Sequence, residues 1–219
     1  MTDAALQTLT LERAAAEAAL ATPAPASAPR LSPHFPEAEF TRSATAALHG
    51  IANDFTAATR RNARALCRTV LEPARFVVGA PMWVSSGLRV RELNCHPDIG
   101  GSLTSEHVLG YAADIGTAAL SDNELFNLIR WLDLPYGQLI EEYGRWVHVS
   151  HTPHRGRHQA LYARSRPGSD FFAAPPLAVS AAMRDVVRDF QRRCGLTGRA
   201  VDGLVGPQVR GLMRQWEDR

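Results

Sequence analysis

The sequence predicts an α+β fold in which a small antiparallel sheet is flanked by helices and followed by a small all-α C-terminal module. Helical periodicity dominates up to residue 71, strand-forming segments follow from residue 82, and helical periodicity returns after residue 178. With 219 residues, 45% of them hydrophobic, the chain can bury one core and carry an appendage.

Residues 1–30 are predicted to be a peripheral extension, because an Ala-rich stretch leads into a Pro/Ala linker that cannot bury a core. Asp3 and Glu12 are among the charges that interrupt the apolar runs, and no basic segment precedes a hydrophobic one. We therefore expect no signal peptide. No apolar run is as long as a membrane span, so we expect no membrane segment either.

The segment from Phe40 to Leu71 has the apolar spacing of a helix, which is expected to end at Pro73. MWVSS, residues 82–86, is rich in strand-forming residues and predicts a strand. The following segment, 87–94, is expected to be a loop, and the pair Gly100-Gly101 a flexible connection.

Two local signals organise the middle of the chain. Ser121 and Glu124 have the spacing of a capping box, which predicts a helix that runs through Trp131. The later segment YGQLIEEYGRWVHVSH is typical of two strands joined at Tyr143-Gly144-Arg145, a β-hairpin.

A predicted linker, residues 165–177, separates a domain at 31–164 from a helical module at 178–219, because prolines and glycine interrupt the periodicity there. The apolar face of the first module helix comprises Met183, Val186, Val187, Phe190 and Cys194. Pro207 suits the start of the second helix, whose apolar residues are Val209, Leu212, Met213 and Trp216. A linker of this composition indicates that the two parts are physically separable.

The charge balance excludes an obligatory polyanionic partner. Lys and Arg total 24 against 22 Asp and Glu, a formal charge of +2, so we expect neither nucleic acid nor membrane as a partner. We also expect the protein to be a monomer. The three cysteines, Cys67, Cys95 and Cys194, lie far apart and are expected to be reduced and structural.

The segment from Ser105 to Asp114 places an imidazole, His107, and the Asp114 carboxylate around a glycine, and the strand WVHVS adds His148. Two histidines and a carboxylate are a usual protein ligand set for catalytic zinc, with the fourth position left for water. Taken singly, either histidine is more often a structural residue.

The pattern S-x-H-x-x-G-x-A-x-D followed by W-V-H-V-S resembles the zinc peptidases of the M15 family, which includes D-Ala-D-Ala carboxypeptidases and murein endopeptidases. The resemblance spans residues 31–151. It implies that His107, Asp114 and His148 bind Zn²⁺, which acts as a Lewis acid and activates water for hydrolysis.

A zinc peptidase also needs a general base, and Glu141 and Glu142 are the candidates. Successive strand residues face opposite sides, so one of the two can point at the metal. The resemblance to the family pattern Q-L-I-x-E implies Glu142, while the intervening turn leaves Glu141 open.

Arg89 lies in Ser-Gly-Leu-Arg, which resembles the family's Ser-Gly-Tyr-Arg and implies a guanidinium that polarises the scissile carbonyl or binds a substrate carboxylate. Leu88 departs from the family pattern, and Arg91 is the alternative to Arg89. Ser105 is a candidate substrate-binding residue, or else a local backbone cap.

The remaining histidines of this region are not assigned to a metal. His151, His154 and His158 are expected in an exposed loop, because Pro153 and an Arg-Gly-Arg segment interrupt them. His96 is expected to be incidental, or to lie near substrate.

The C-terminal segment VVRDFQRRCGLTGRAVDGLVGPQVRGLM resembles the peptidoglycan-binding domain of wall hydrolases through F-Q-x-x-x-G-L, V-D-G and V-G-P. From the residues alone, its two amphipathic helices with several arginines could also be a helix-turn-helix that reads DNA, although the intervening loop is long for that motif.

Together the two resemblances imply a zinc-dependent peptidoglycan peptidase. Because no signal peptide is visible, we expect a protein similar to phage endolysins, made in the cytoplasm and reaching the wall after holin-type release. The alternatives are an exported bacterial D-Ala-D-Ala carboxypeptidase and a non-catalytic cell-wall-binding protein. The sequence leaves open which peptide bond is cut.

Overall fold

The structure, a computed structural model, describes residues 27–153, 157–163 and 170–214. Within these ranges the strands are β1 Arg30–Ser32, β2 Phe35–Pro36, β3 Met82–Ser86, β4 Ala112–Thr117, β5 Gln138–Glu142, β6 Trp146–Ser150, β7 Gln159–Ala163 and β8 Phe171–Ala173. The α-helices are α1 Glu37–Thr41, α2 Ala44–His49, α3 Ala57–Leu66, α4 Glu72–Val78, α5 Arg91–Asn94, α6 Asp122–Trp131, α7 Ala181–Arg193 and α8 Pro207–Met213. The predicted α+β class is confirmed.

The main sheet has the strand order β3-β4-β6-β5-β7-β8. Neighbouring strands are antiparallel except β5 and β7, which are parallel. Strands β7 and β8 were not predicted, and β8 lies inside the predicted linker, so part of that linker joins the edge of the sheet.

The predicted helix from Phe40 to Leu71 is wrong in extent. Three helices, α1 to α3, occupy this region, and α3 continues through a π-helical turn, Cys67–Leu71, into α4. Pro73 therefore does not end the helix, because it lies in the first turn of α4, directly after the π-helical turn.

The two local signals in the middle of the chain are confirmed. Helix α6 is Asp122–Trp131, and its first turn carries the capping box between Ser121 and Glu124. Strands β5 and β6 form the hairpin, with Tyr143 and Gly144 both at positive φ in its turn.

One hydrophobic core joins the sheet to the helices. It includes Leu66 of α3 and Leu71 of the π-helical turn, Phe126 from α6, and Val147 and Val149 from β6, all fully buried. The core-facing side chains of β6 therefore anchor this strand, and the residues between them face the opposite side of the sheet.

The C-terminal helices share this core. Phe190 of α7 is fully buried and packs edge-on against Phe76 of α4, with ring centroids 5.2 Å apart. The Arg193 guanidinium donates to the carbonyl oxygens of Phe76 and Val77, at 3.0 and 2.8 Å, and so caps the C-terminal end of α4. This packing argues against a freely tethered module, while the domain boundaries stay a prediction. Trp216 lies outside the described residues.

Residues 1–26, most of the predicted N-terminal extension, also lie outside the described residues. Within the described ranges, no helix is both long and apolar enough to cross a membrane. Cys67 is buried, Cys194 half-buried and Cys95 exposed, and all three are free thiols.

Candidate metal centre

Strand pairing brings two of the predicted ligands together. Strands β4 and β6 are antiparallel, and their register places Asp114 directly opposite His148. Because alternate residues of a strand face opposite sides, the neighbours of His148 enter the core while His148 faces Asp114 across the other surface of the sheet.

His107 reaches the same place from the 3₁₀ turn Glu106–Leu109. Gly110 ends this turn with φ of 71°, and a Cβ atom there would lie 2.5 Å from the Thr59 carbonyl oxygen. Glycine is therefore required at this position both by the backbone conformation and by the close approach of α3. This is the physical basis of the glycine in the sequence motif.

The orientation of the His107 ring is set by a backbone carbonyl. His107 Nδ1 donates to the Gly87 oxygen at 2.6 Å. Because a carbonyl oxygen only accepts, Nδ1 carries the ring proton and the Nε2 lone pair is free. A metal-binding histidine is typically held through its other nitrogen in this way.

Three donor atoms converge. His148 Nδ1 lies 2.9 Å from Asp114 Oδ1 and 3.1 Å from His107 Nε2, and His107 Nε2 lies 3.3 Å from the same Asp114 oxygen. The side chains of His107, Asp114 and His148 are 1%, 7% and 10% exposed, so the cluster is buried. These residues fit zinc, because two imidazole nitrogens and a carboxylate oxygen are its usual catalytic ligands and one donor, His107 Nε2, has a free lone pair.

The three groups depend on one another for their charge. Burial and the Arg89 guanidinium lower the pKa of His107 to about 4. Burial acts to raise the pKa of Asp114, but the charge of His107 and the hydrogen bonds with both histidines outweigh it and hold that pKa well below its usual range. Burial acts to lower the pKa of His148, but its hydrogen bond to Asp114 outweighs this and raises it. The hydrogen bond between His148 Nδ1 and Asp114 Oδ1 holds a proton among the donors, and metal binding would displace it.

The cluster lies in an open groove of about 1110 Å³, whose lining includes Glu142 and Arg89 as well as the three donors. Glu142 as a whole is 9% exposed. Glu141 is absent from the lining, and its Oε1 instead accepts the Gly144 amide N–H in the hairpin turn. The hairpin thus places the two glutamates on opposite sides, as the alternation of a strand requires.

Burial and the negative charge of Asp114 raise the pKa of Glu142 to about 7. The positive charges of His148 and Arg89 and a hydrogen bond with the Trp146 side chain oppose this rise. A carboxyl group with a pKa near neutrality is suited to accept and return a proton at neutral pH.

Arg89 borders the groove, with Nη2 3.9 Å from Asp114 Oδ2 and a side chain 16% exposed. Arg91 lies in the short helix α5, is exposed, and does not line the groove.

Asn53, which was not predicted from the sequence, holds the loop that carries Arg89. Its side-chain amide donates to the Leu88 carbonyl at 2.8 Å, and its side-chain oxygen accepts from the Val90 amide at 3.0 Å. No motif marks Asn53, since it acts through tertiary contacts.

Ser105 lines the groove and its side chain makes no capping hydrogen bond to the 3₁₀ turn. Among the other histidines, His151 Nδ1 donates to the Pro135 carbonyl at 2.7 Å, and His158 stacks on the Tyr136 ring. His154 lies outside the described residues. His96 lies beside His49 and Asp98, away from the three donors.

A buried set of two imidazoles and a carboxylate at the floor of an open groove is typical of zinc hydrolases. The family model described as Peptidase M15 matches residues 33–150, more than half of the chain. The chain belongs to this family of zinc-dependent metallopeptidases, which confirms the resemblance seen in the sequence. A search of curated proteins and a search of solved structures each found no match. The predicted peptidoglycan-binding module lies outside the matched range and stays a prediction.

Proposed function

We propose that this protein is a zinc-dependent peptidoglycan peptidase that hydrolyses an amide bond of the murein stem peptide or cross-link. The observation that carries the proposal is the convergence of His107 Nε2, Asp114 Oδ1 and His148 Nδ1 at the floor of an open groove of about 1110 Å³. Family membership supplies the metallopeptidase chemistry, and the sequence motifs at the C-terminus supply the link to the cell wall.

His107, Asp114 and His148 would hold the metal. Zinc, when bound, supplies a Lewis acid that polarises the scissile carbonyl and makes water nucleophilic at neutral pH. The protein's part is to align the donors. The Gly87 carbonyl fixes the tautomer and orientation of the His107 ring, and the pairing of β4 with β6 places Asp114 opposite His148.

Glu142 is the proposed general base. Its carboxylate accepts a proton from the attacking water and then delivers it to the amine that leaves when the C–N bond breaks. Its position in the groove, beside the three donors and Arg89, suits both steps. The hydrogen bond to the Gly144 amide directs Glu141 into the hairpin turn instead.

Arg89 is the proposed electrophilic residue. Its guanidinium lines the groove beside Asp114, where it can donate to the oxygen that gains negative charge during attack, or to a substrate carboxylate. Ser105, on the groove wall next to the His107 turn, is the proposed substrate-binding residue.

Residues 178–219 are proposed to hold the enzyme on the wall. The motifs F-Q-x-x-x-G-L, V-D-G and V-G-P support this role through their resemblance to wall-binding domains. The second motif also has a structural task, because Asp202 accepts from the Gln191 side chain at 2.7 Å and thereby ties the loop to α7. An endolysin-like setting, with release through a holin-type lesion, is the role that we propose for this combination.

Digestion of purified sacculi, followed by mass spectrometry of the soluble fragments, tests the proposal. We expect fragments cut at one type of amide bond, loss of cleavage after chelation, and recovery when zinc is restored. Release of terminal D-Ala alone would favour a D-Ala-D-Ala carboxypeptidase. Sedimentation with sacculi without any released fragment would favour a non-catalytic wall-binding protein. Cleavage that continues after complete removal of zinc would contradict the proposal.

A further inference from the structure

A second group of two imidazoles and one carboxylate lies outside the groove floor. His49 Nε2 is 3.1 Å and His96 Nδ1 is 3.6 Å from Asp98 Oδ2, and the three donor atoms lie within 4.8 Å of one another. Ligand atoms bound about 2 Å from a tetrahedral ion lie roughly 3.4 Å apart. The cluster is therefore already close to the spacing that a bound ion requires.

The protonation of His96 suits this use. The Asp98 amide N–H donates to His96 Nδ1 at 3.3 Å. Because an amide N–H only donates, Nδ1 carries a lone pair and the ring proton is on Nε2. This hydrogen bond is long, and an ion could replace it with little loss.

A small hydrophobic cluster joins the elements that carry the three side chains. Ala46 of α2, Leu93 of α5 and Ile99 of the loop pack together and are at least nine-tenths buried. The amides of Ile99 and Gly100 both donate to the His96 carbonyl, at 2.9 and 2.8 Å, so the loop that carries His96 and Asp98 is a tight turn. The donors are thus positioned before any ion arrives, which lowers the entropic cost of binding.

We propose that His49, His96 and Asp98 form a second, solvent-accessible site for a divalent transition metal such as zinc. Two imidazole nitrogens favour zinc and its neighbours over calcium or magnesium, which prefer oxygen ligands. The side chains of His49, His96 and Asp98 are 36%, 22% and 40% exposed, so water completes the coordination and the ion exchanges freely.

The site has a defined structural effect. Ile99, Gly100 and Gly101 follow Asp98 directly and form part of the wall of the groove. An ion held by His49 at the end of α2 and by His96 and Asp98 in the loop fastens this wall to α2. The inference does not depend on the proposed peptidoglycan activity.

Zinc titration of the full-length, chelator-stripped protein tests the site. We expect two equivalents in the native sequence and one in His49→Ala, with the equivalent that depends on His107 retained. The variant His107→Ala should show the reverse pattern. A matched control is His158→Ala, because His158 Nε2 lies 3.8 Å from the Asp133 carboxylate but belongs to no three-donor group in the described residues. It should keep both equivalents.

Asp98→Asn provides a second variant should His49→Ala fail to fold, and thermal unfolding in chelator checks the fold of each. Hydrogen exchange of the Ile99–Gly101 amides should slow when the second equivalent binds, and should not respond in Asp98→Asn. A single zinc equivalent in the native protein that disappears in His107→Ala, or two equivalents retained in both His49→Ala and Asp98→Asn, would overturn the second site. A single zinc equivalent that is kept in His107→Ala and lost in His49→Ala would instead count against the proposed catalytic centre.

Discussion

The two histidine–aspartate clusters have the same donor types and opposite surroundings. In the groove cluster of His107, Asp114 and His148, no side chain is more than 10% exposed, whereas the loop cluster of His49, His96 and Asp98 is 22% to 40% exposed. Paired strands and the Gly87 carbonyl support the first cluster, and a helix end and a turn support the second.

The difference shows that residue type alone does not define a catalytic centre. Burial strengthens electrostatic interactions, so a metal in the groove cluster would polarise a neighbouring carbonyl more strongly than one at an exposed site. The groove cluster also has Glu142 and Arg89 beside it. The loop cluster lies behind the groove wall, where an ion can stabilise structure and exchange with solvent.

The largest expected effect comes from Asp114→Asn. Replacing the charged ligand should remove zinc from the groove cluster and lower hydrolysis of sacculi by roughly 1,000-fold or more, since Lewis-acid stabilisation supplies several kcal/mol to the transition state. Metal analysis and turbidity assays on the same preparation measure both effects.

Asp133→Asn is the matched control for this change, because Asp133 is an exposed carboxylate at φ of 58°, a conformation that asparagine also tolerates. It should keep zinc and activity. Equal losses in the two variants would mean that the buried position has no special role.

Phe190→Ala tests whether the C-terminal helices belong to the hydrophobic core that supports β6 and the groove cluster. Phe190 is fully buried against Phe76 in the core that also holds β6, so its truncation should lower the free energy of unfolding by about 3–4 kcal/mol. Leu204→Ala, at a side chain that is 48% exposed, should cost less than about 0.5 kcal/mol. Urea denaturation of both variants measures the difference. A change below about 1 kcal/mol for Phe190→Ala would favour an independent module.

Glu142→Gln should retain zinc and the fold while losing roughly 100-fold in hydrolysis, because it removes the proposed general base. Glu141→Gln is the natural control, since it alters a neighbouring carboxylate that is bonded to the hairpin turn and should lower the rate only mildly. Rates on a soluble muropeptide, at equal zinc content, compare the two. The reverse order of effects would assign the base to Glu141.

The sequence predicted the features that depend on local chemistry. The capping box of Ser121 with Glu124 and the turn at Tyr143-Gly144-Arg145 are decided by residues close in the chain, and both are present. The three predicted zinc donors do lie together, because a family resemblance carries tertiary information that spacing alone lacks. Their role as ligands stays a prediction until the metal is measured.

Features that depend on contacts distant in sequence were not predicted. Strand β7 forms by parallel pairing with β5, and its residues Gln159–Ala163 show no clear alternation. His49 contacts His96 because α2 packs against the loop that carries His96, a tertiary contact that no local pattern predicts. The side of the hairpin that Glu142 faces also needed the structure, since an intervening turn makes the parity of a strand unreliable.

The smallest expected effect concerns the metal-free protein, in which burial and the charge of Asp114 destabilise the ionised form of Glu142. The pKa of Glu142 in the folded state, about 7, is above its ordinary value of 4.5. A raised pKa for an acid means that its contribution to stability is fully present below about pH 4.5 and is lost as the pH rises through 7.

Glu142→Gln cannot ionise, so its stability relative to the native sequence should increase by about 2 kcal/mol between pH 5 and pH 7. Chemical denaturation of both proteins in excess chelator measures this difference, and Glu141→Gln should show a smaller one because the Gly144 amide hydrogen bond stabilises the ionised form of Glu141. Saturation with zinc should reduce the gain, since a cation near Glu142 stabilises its ionised form. Parallel pH profiles for the native protein and Glu142→Gln would show that the buried cluster does not strain its neighbouring carboxyl, and would remove one of the physical distinctions between the two clusters.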